Sequence, residues 1–156
     1  MTTLKRTTSE DVAFQNLVHL LDKDLATRDG KEQHSFYAQF NKIDMIKNAI
    51  VYYANDIPIG CGAFKEFDKS SVEIKRMYVQ PNFRGQRIGA TILKELELWA
   101  AELNYVECVL ETGKKNPEAL HLYQKEGYEI IPNFGQYKNV ENSVCMKKSI
   151  RKSAAS

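Results

Sequence analysis

Between Ala49 and Leu103 the hydrophobic pattern changes from the alternation of strands to the period of a helix, and that change sets the fold class. Ala49 to Ala54 is rich in β-branched and aromatic residues, Asn55-Asp56 signals a turn, and Pro58 to Phe67 reads as the returning strand. Val72 to Val79 is a third strand, ended by Pro81-Asn82. From Ile88 onward Ile88, Ile92, Leu93, Leu96, Trp99, Ala100 and Leu103 share one broad apolar helix face. Upstream, Leu4 to Thr7 is a short strand, and Thr8 or Ser9 caps a helix with Glu10 and Asp11 in its first turn. Its stripe of Val12, Leu17, Leu20, Leu21 and Leu25 is broken at Arg28-Asp29-Gly30, and a second short helix covers His34 to Phe40. Downstream come a strand over Tyr105 to Thr112, a helix opened by Asn116-Pro117-Glu118 and closed by Gly127, and strands near Tyr128 to Ile131 and Ser143 to Lys147. This order predicts an α/β domain with a mixed sheet.

Composition narrows the function classes. A chain of 156 residues with 43% hydrophobic content supports one core. Two cores of about 78 residues each would be near the size where burial barely offsets chain entropy. The domain is placed at residues 1–150, with 151–156 as a short solvated tail. Twenty-two Lys and Arg against 20 Asp and Glu leave a net charge of +2, which argues against a dedicated nucleic-acid binder. No apolar run reaches the roughly 20 residues of a membrane span, and the first residues lack a signal-peptide stretch. A cytoplasmic protein is expected. Cys61, Cys108 and Cys145 are odd in number and widely spaced, which favours reduced, buried thiols. His19, His34 and His121 form no ligand spacing with them, so no metal is expected.

The segment Met77-Tyr78-Val79-Gln80-Pro81-Asn82-Phe83-Arg84-Gly85-Gln86-Arg87-Ile88-Gly89-Ala90 is the most informative. A strand ends, a loop with two glycines and two arginines follows, and a helix begins. Free N–H groups and the helix dipole make such a start an anion site. Gly85 and Gly89 allow close backbone approach, and Arg84 and Arg87 add positive charge, so the segment suits a pyrophosphate. Neither the G-x-G-x-x-G nor the G-x-x-x-x-G-K-[ST] phosphate loop is present. The plainer alternative is an ordinary strand-to-helix turn with solvated arginines.

Arg84-Gly85-Gln86-Arg87-Ile88-Gly89 resembles the [QR]-x-x-G-x-[GA] loop of the GCN5-related N-acetyltransferase family, with Arg87 where that family usually carries glycine. If this position needs a positive φ, arginine costs on the order of 1 kcal/mol there. About 30 residues on, Asn116 to Tyr128 resembles the family's N-x-x-A-x-x-x-Y-x-x-x-G-[FY]. The resemblance spans roughly residues 45 to 148. It implies a single-domain fold with a central sheet of about six to seven strands flanked by about four helices, and acetyl-CoA as cosubstrate. It further implies that Met77, Tyr78, Val79 and the loop from Arg84 through Gly85, Gln86, Arg87, Ile88 and Gly89 to Ala90 bind the cofactor. Asn116 would help hold the pantetheine arm, and Tyr123 would protonate the departing thiolate. Taken alone, Asn116 is explained as a helix N-cap and Tyr123 as packing beside Ala119 and Leu122.

The general base is open between two strand carboxylates. Glu111 lies twelve residues before Tyr123, the spacing seen in the ribosomal-protein N-terminal acetyltransferase branch, and ranks first. Glu73, in Val72-Glu73-Ile74-Lys75-Arg76, corresponds to the strand glutamate of other members. Both are equally explained as paired carboxylates near Lys75 and Arg76, and a water chain would also serve. The resemblance places the acceptor pocket against Asp29 to Asp44 and Pro132 to Asn142, and Arg76 at the sheet opening is a candidate partner for a substrate carboxylate. The expected reaction moves an acetyl group from acetyl-CoA to a primary amine, a small molecule or a peptide N-terminus, by direct attack. A strand N–H near Val79 would hold the oxyanion. The alternative is a non-catalytic acyl-CoA-binding sensor. No nucleic-acid or membrane partner is expected, and a homodimer is allowed.

Overall fold

The computed structural model describes residues 1–38 and 46–150, with the side chains of 28–38 left aside. Seven strands, β1 (Thr2–Thr7), β2 (Asn48–Ala54), β3 (Ile57–Glu66), β4 (Ser71–Val79), β5 (Glu107–Gly113), β6 (Glu129–Ile131) and β7 (Ser143–Ser149), form one mixed sheet in the order β1-β2-β3-β4-β5-β7-β6. Three helices are present among the described residues: α1 (Val12–Ala38), α2 (Ile88–Glu102) and α3 (Pro117–Lys125). None of them is long and apolar enough to cross a membrane.

Strand alternation distributes the core between the two faces of the sheet. On one face Phe14, Leu17, Val18 and Leu21 of α1 cover Ala49, Val51, Cys61, Ala63 and Tyr78. On the other, Ile88, Ile92, Leu93 and Leu96 of α2 cover Ile50, Ile59, Phe64, Val72 and Ile74, with Tyr123 of α3 in the same cluster. Two details of β4 shape everything that follows. It pairs in parallel with β5 at only three positions, Ser71–Glu107, Val72–Cys108 and Glu73–Val109, beyond which no β4–β5 pairs form and the sheet forks. It also carries a bulge. Cys61 faces Tyr78 but Ala63 faces Lys75, so Arg76 and Met77 stand opposite the single residue Gly62. The extra residue is Arg76, in the left-handed region at φ 61°. The insertion flips the parity of the strand, which is why Val72, Ile74, Met77 and Val79 all meet the α2-side core.

The α/β class and the mixed sheet agree with expectation, but the helix count does not. Instead of a break at Arg28-Asp29-Gly30 and a new helix over His34 to Phe40, α1 runs on to Ala38. One glycine costs a helix about 1 kcal/mol, too little to end it. The helix also starts later than expected: Asp11, not Thr8 or Ser9, caps it by accepting from the Phe14 N–H at 3.1 Å. Residues 39–45 and the tail 151–156 lie outside the described residues.

Cys61, Cys108 and Cys145 are buried free thiols. Burial pushes the Cys108 thiol up to about 12 and Cys145 to about 11, and raises Cys61, Tyr123, Tyr128 and Tyr137 as well. Below about pH 8 these groups are protonated in both folded and unfolded chains and contribute no slope. Above the ordinary thiol value of 9.0 and phenol value of 10.0 the unfolded chain sheds protons that the folded chain keeps, so stability falls as pH rises. The urea midpoint is expected to stay level to about pH 8 and then drop, the unfolding free energy falling by up to about 1.4 kcal/mol per pH unit for each group that titrates. A midpoint unchanged from pH 7 to 10.5 would mean that these groups ionise in the folded protein.

Candidate active site

Where β4 and β5 part, a cleft opens. Glu73 is the last β4 residue paired to β5, opposite Val109, and Glu111 lies two residues beyond Val109. Paired residues and their i+2 neighbours share a face, so both carboxylates point to the same side. Glu73, Glu111, Asn116, Tyr123 and Met77 all line this cleft of about 110 Å³. Strand pairing and the start of α3 therefore bring together every candidate catalytic residue read from the sequence.

Each has a partner that defines its state. Glu111 accepts a 2.6 Å hydrogen bond from Ser143 Oγ on β7. Glu73 sits 3.8 Å from the Lys75 ammonium, and both are buried. Desolvation holds the Lys75 amine below the usual lysine range against the opposing pull of Glu73. Tyr123 is 6% exposed, its ring edge-on to Tyr128 at 5.8 Å. Burial raises its phenol well above the ordinary range, and the charge on Glu111 raises it further. A phenol in that setting is a proton donor that stays loaded throughout neutral pH. Asn116 caps α3 through Oδ1, which accepts from the Ala119 N–H at 3.3 Å, so capping and cleft lining are compatible.

The loop after β4 has the form of an anion cradle. A 3-10 turn over Pro81–Phe83 leads into Gly85, which has φ 83° and open space where a Cβ would stand. Arg87, the N-cap position of α2, adopts φ 63°, and no side chain caps the helix. The position where the family pattern has glycine thus does need a left-handed residue, at a cost on the order of 1 kcal/mol for arginine. The Arg87 guanidinium reaches the buried Glu126 carboxylate at 3.7 Å, tying the loop to the end of α3. Arg84 braces the loop by donating from Nε to the Val79 carbonyl at 2.8 Å and lies over the Tyr78 ring. Gly89 has a packing reason, since a Cβ there would stand 3.3 Å from Leu122.

The remaining loop and strand positions divide by face. Gln86 is exposed, whereas Ile88 and Ala90 are buried, so these two offer a ligand only their backbone. Of the β4 trio, Met77 lines the cleft, while Tyr78 packs under α1 and Val79 against the α2-side core.

The sequence does not mark Ser143, Leu21 or Leu25 as site residues, yet Leu21 and Leu25 line the cleft together with Tyr137, and Ser143 holds Glu111. Tyr137 comes from the expected Pro132 to Asn142 segment and is 1% exposed. The other expected wall, Asp29 to Asp44, falls on side chains outside the described residues.

Comparison with known proteins gives this cleft a context. The chain is 34% identical over 93 residues to an IAA acetyltransferase of Azospirillum brasilense, an alignment covering 59% of this chain and 61% of that protein. The matched part of the chain spans about three fifths of the curated relatives' length. Among solved structures, a Klebsiella pneumoniae protein assigned as an acyl-CoA N-acyltransferase superposes with a TM-score of 0.80 at 26% identity, covering 96% of this chain and 98% of that one. The PaiA N-acetyltransferase of Thermoplasma acidophilum, solved with coenzyme A, shares the fold at a TM-score of 0.71 and 19% identity, covering 96% of this chain and 99% of that one. The sequence model of the acetyltransferase (GNAT) family matches residues 14–128, well over half of the chain, and the chain belongs to that family.

Proposed function

We propose that the protein transfers an acetyl group from acetyl-CoA to a primary amine by direct attack. The observation that carries this reading is the meeting of a buried, protonated Tyr123 hydroxyl from α3 and the Glu111 carboxylate from β5 in one cleft, where β4 and β5 fork and β4 leads to an uncapped helix N-terminus. Free N–H groups at the start of α2, with Gly85 offering open approach, suit the pyrophosphate of coenzyme A. The coenzyme A bound to the Thermoplasma relative supports the same cosubstrate here. Asn116 spends its Oδ1 on the helix cap and keeps its amide N–H groups for the pantetheine arm.

In the reaction the acceptor amine gives up a proton, Glu111 being the first choice of base and Glu73 the second. The amine nitrogen then attacks the thioester carbonyl. A C–N bond forms, the tetrahedral intermediate collapses, the C–S bond breaks, and Tyr123 donates its phenolic proton to the departing sulfur. Glu111 is held in one orientation by Ser143, whereas Glu73 is partly neutralised by Lys75, which favours Glu111. The three cysteines are fully buried with raised thiol values, which supports direct attack over an acyl-enzyme.

Calorimetric titration of acetyl-CoA into the protein without acceptor tests the cofactor half of this reading. Saturable 1:1 binding is expected. Arg84→Ala should weaken it roughly tenfold through loss of one charged contact and of the brace on the Val79 carbonyl. No heat and no thermal stabilisation at millimolar acetyl-CoA would remove the acetyltransferase reading.

A further inference from the structure

Arg76 lines the cleft, and the proposed transfer leaves its guanidinium unused. Its side chain is 2% exposed, yet among the described residues only Nη1 has a hydrogen-bond partner, Asp22 of α1 at 3.3 Å. Nε and Nη2 are buried and meet no hydrogen-bond partner among the described residues. A buried cationic N–H without an acceptor is costly, and here there are two on one guanidinium. They are a matched pair. In a planar guanidinium, Nε–H and one N–H of Nη2 lie on the same edge and point the same way, the fork that grips both oxygens of a carboxylate. The backbone is also strained to place this residue, since Arg76 is the bulged residue of β4 at φ 61°. Removing the bulge would relieve that strain, but it would also turn the side chain away from the cleft.

We propose that the acceptor is an amine that also carries a carboxylate, an amino acid zwitterion, and that the Nε–H and Nη2–H edge of Arg76 holds its carboxylate in the cleft between β4 and β5. This deepens the acetyl-transfer reading and rests on it for the word acceptor. The charges around the cleft favour a zwitterion over a dianion. Lys75 and Arg76 are opposed by Glu73, Glu111 and Asp22, so the set is already short of positive charge. A phosphate would add two negative charges there. A zwitterion adds none, and it brings an ammonium for Glu73 and Glu111 to meet.

The test pairs each primary-amine amino acid with its C-terminal amide, the same side chain without the negative charge. CoA release is followed for the wild type, Arg76→Gln and Arg76→Lys, with acetyl-CoA affinity measured for all three. One or more amino acids should turn over, with kcat/KM roughly 100-fold above the matching amide, as two charge-assisted hydrogen bonds imply. Arg76→Gln should bring that ratio close to one, chiefly by raising KM for the acid. Arg76→Lys should restore part of it. In parallel, the ¹⁵N-bound Nε–H signal of Arg76, assigned by its loss in Arg76→Lys, should shift on adding the amino acid and not the amide. Equal turnover of acid and amide, or a ratio that survives Arg76→Gln, overturns the carboxylate site while acetyl transfer stands. An amino acid that shifts the Nε signal with no CoA release does the reverse. If no amino acid shifts the signal, the site is wrong whatever the turnover.

Discussion

Tyr123→Phe is expected to lower kcat by a factor of 10² to 10³ while acetyl-CoA affinity and melting temperature barely change. General acid catalysis by a positioned side chain is worth roughly 10²- to 10⁴-fold, and Tyr123 is one of two phenols, with Tyr137, that line the cleft beside Asn116 and the Glu111 carboxylate. The substitution removes one hydroxyl and keeps the ring that packs edge-on against Tyr128, so the core is preserved. Burial and the Glu111 charge set the pH behaviour. With the phenol held above its ordinary value of 10.0, the wild-type rate should rise with pH as the acceptor amine deprotonates and then stay level to about pH 10. Steady-state CoA release together with calorimetry of acetyl-CoA binding separates the alternatives. A variant that keeps kcat within threefold would reduce Tyr123 to a packing residue and point to another proton donor, or to a protein that binds acyl-CoA without using it.

The parts of this molecule that were legible in its sequence are those encoded locally. The meander, the amphipathic α2 and the Asn116-Pro117 start of α3 each carry their own period, turn or cap, and the structure shows each within a few residues of the reading. The Arg84 to Ala90 loop was legible for the same reason, even to the backbone requirement at Arg87, because a positive φ leaves a glycine-shaped mark in a pattern. What stayed hidden depends on contacts between distant segments. Ser143 is 32 residues from the Glu111 it holds, and nothing in Asn142-Ser143-Val144 marks a hydrogen bond to β5. The bulge at Arg76 left no glycine behind: an arginine occupies the left-handed position and the glycine, Gly62, sits across the ladder. The run of α1 through Gly30 was misread because a turn-like Arg28-Asp29-Gly30 weighs as a stop only when nothing beyond it favours helix.

Gly62 makes that hidden geometry testable, and Gly62→Ala is expected to be the most destabilising methyl group one can add to the sheet. A Cβ on Gly62 would stand 2.6 Å from Met77 Sδ, 2.9 Å from Ile92 Cγ2 and 2.9 Å from Leu96 Cδ1. Two of these belong to fully buried residues of α2, so the helix cannot give way without opening the core. Overpacking of this kind costs about 1–3 kcal/mol, or a fall of roughly 2–12 °C in melting temperature for a domain of this size. Gly85→Ala is the contrast, because its Cβ meets nothing and its φ of 83° alone sets a cost of about 1 kcal/mol. The softest of the three neighbours is Met77, an unbranched side chain that lines the cleft, so part of the strain at Gly62 should be discharged into the site as weaker acetyl-CoA binding. A double-mutant cycle with Met77→Ala isolates that path: the pair should cost less than the sum of the two single changes, by 0.5 kcal/mol or more in about the range seen for contacting residues. Additive effects would place Met77 away from Gly62, and with it the bulge that aims Arg76 into the cleft.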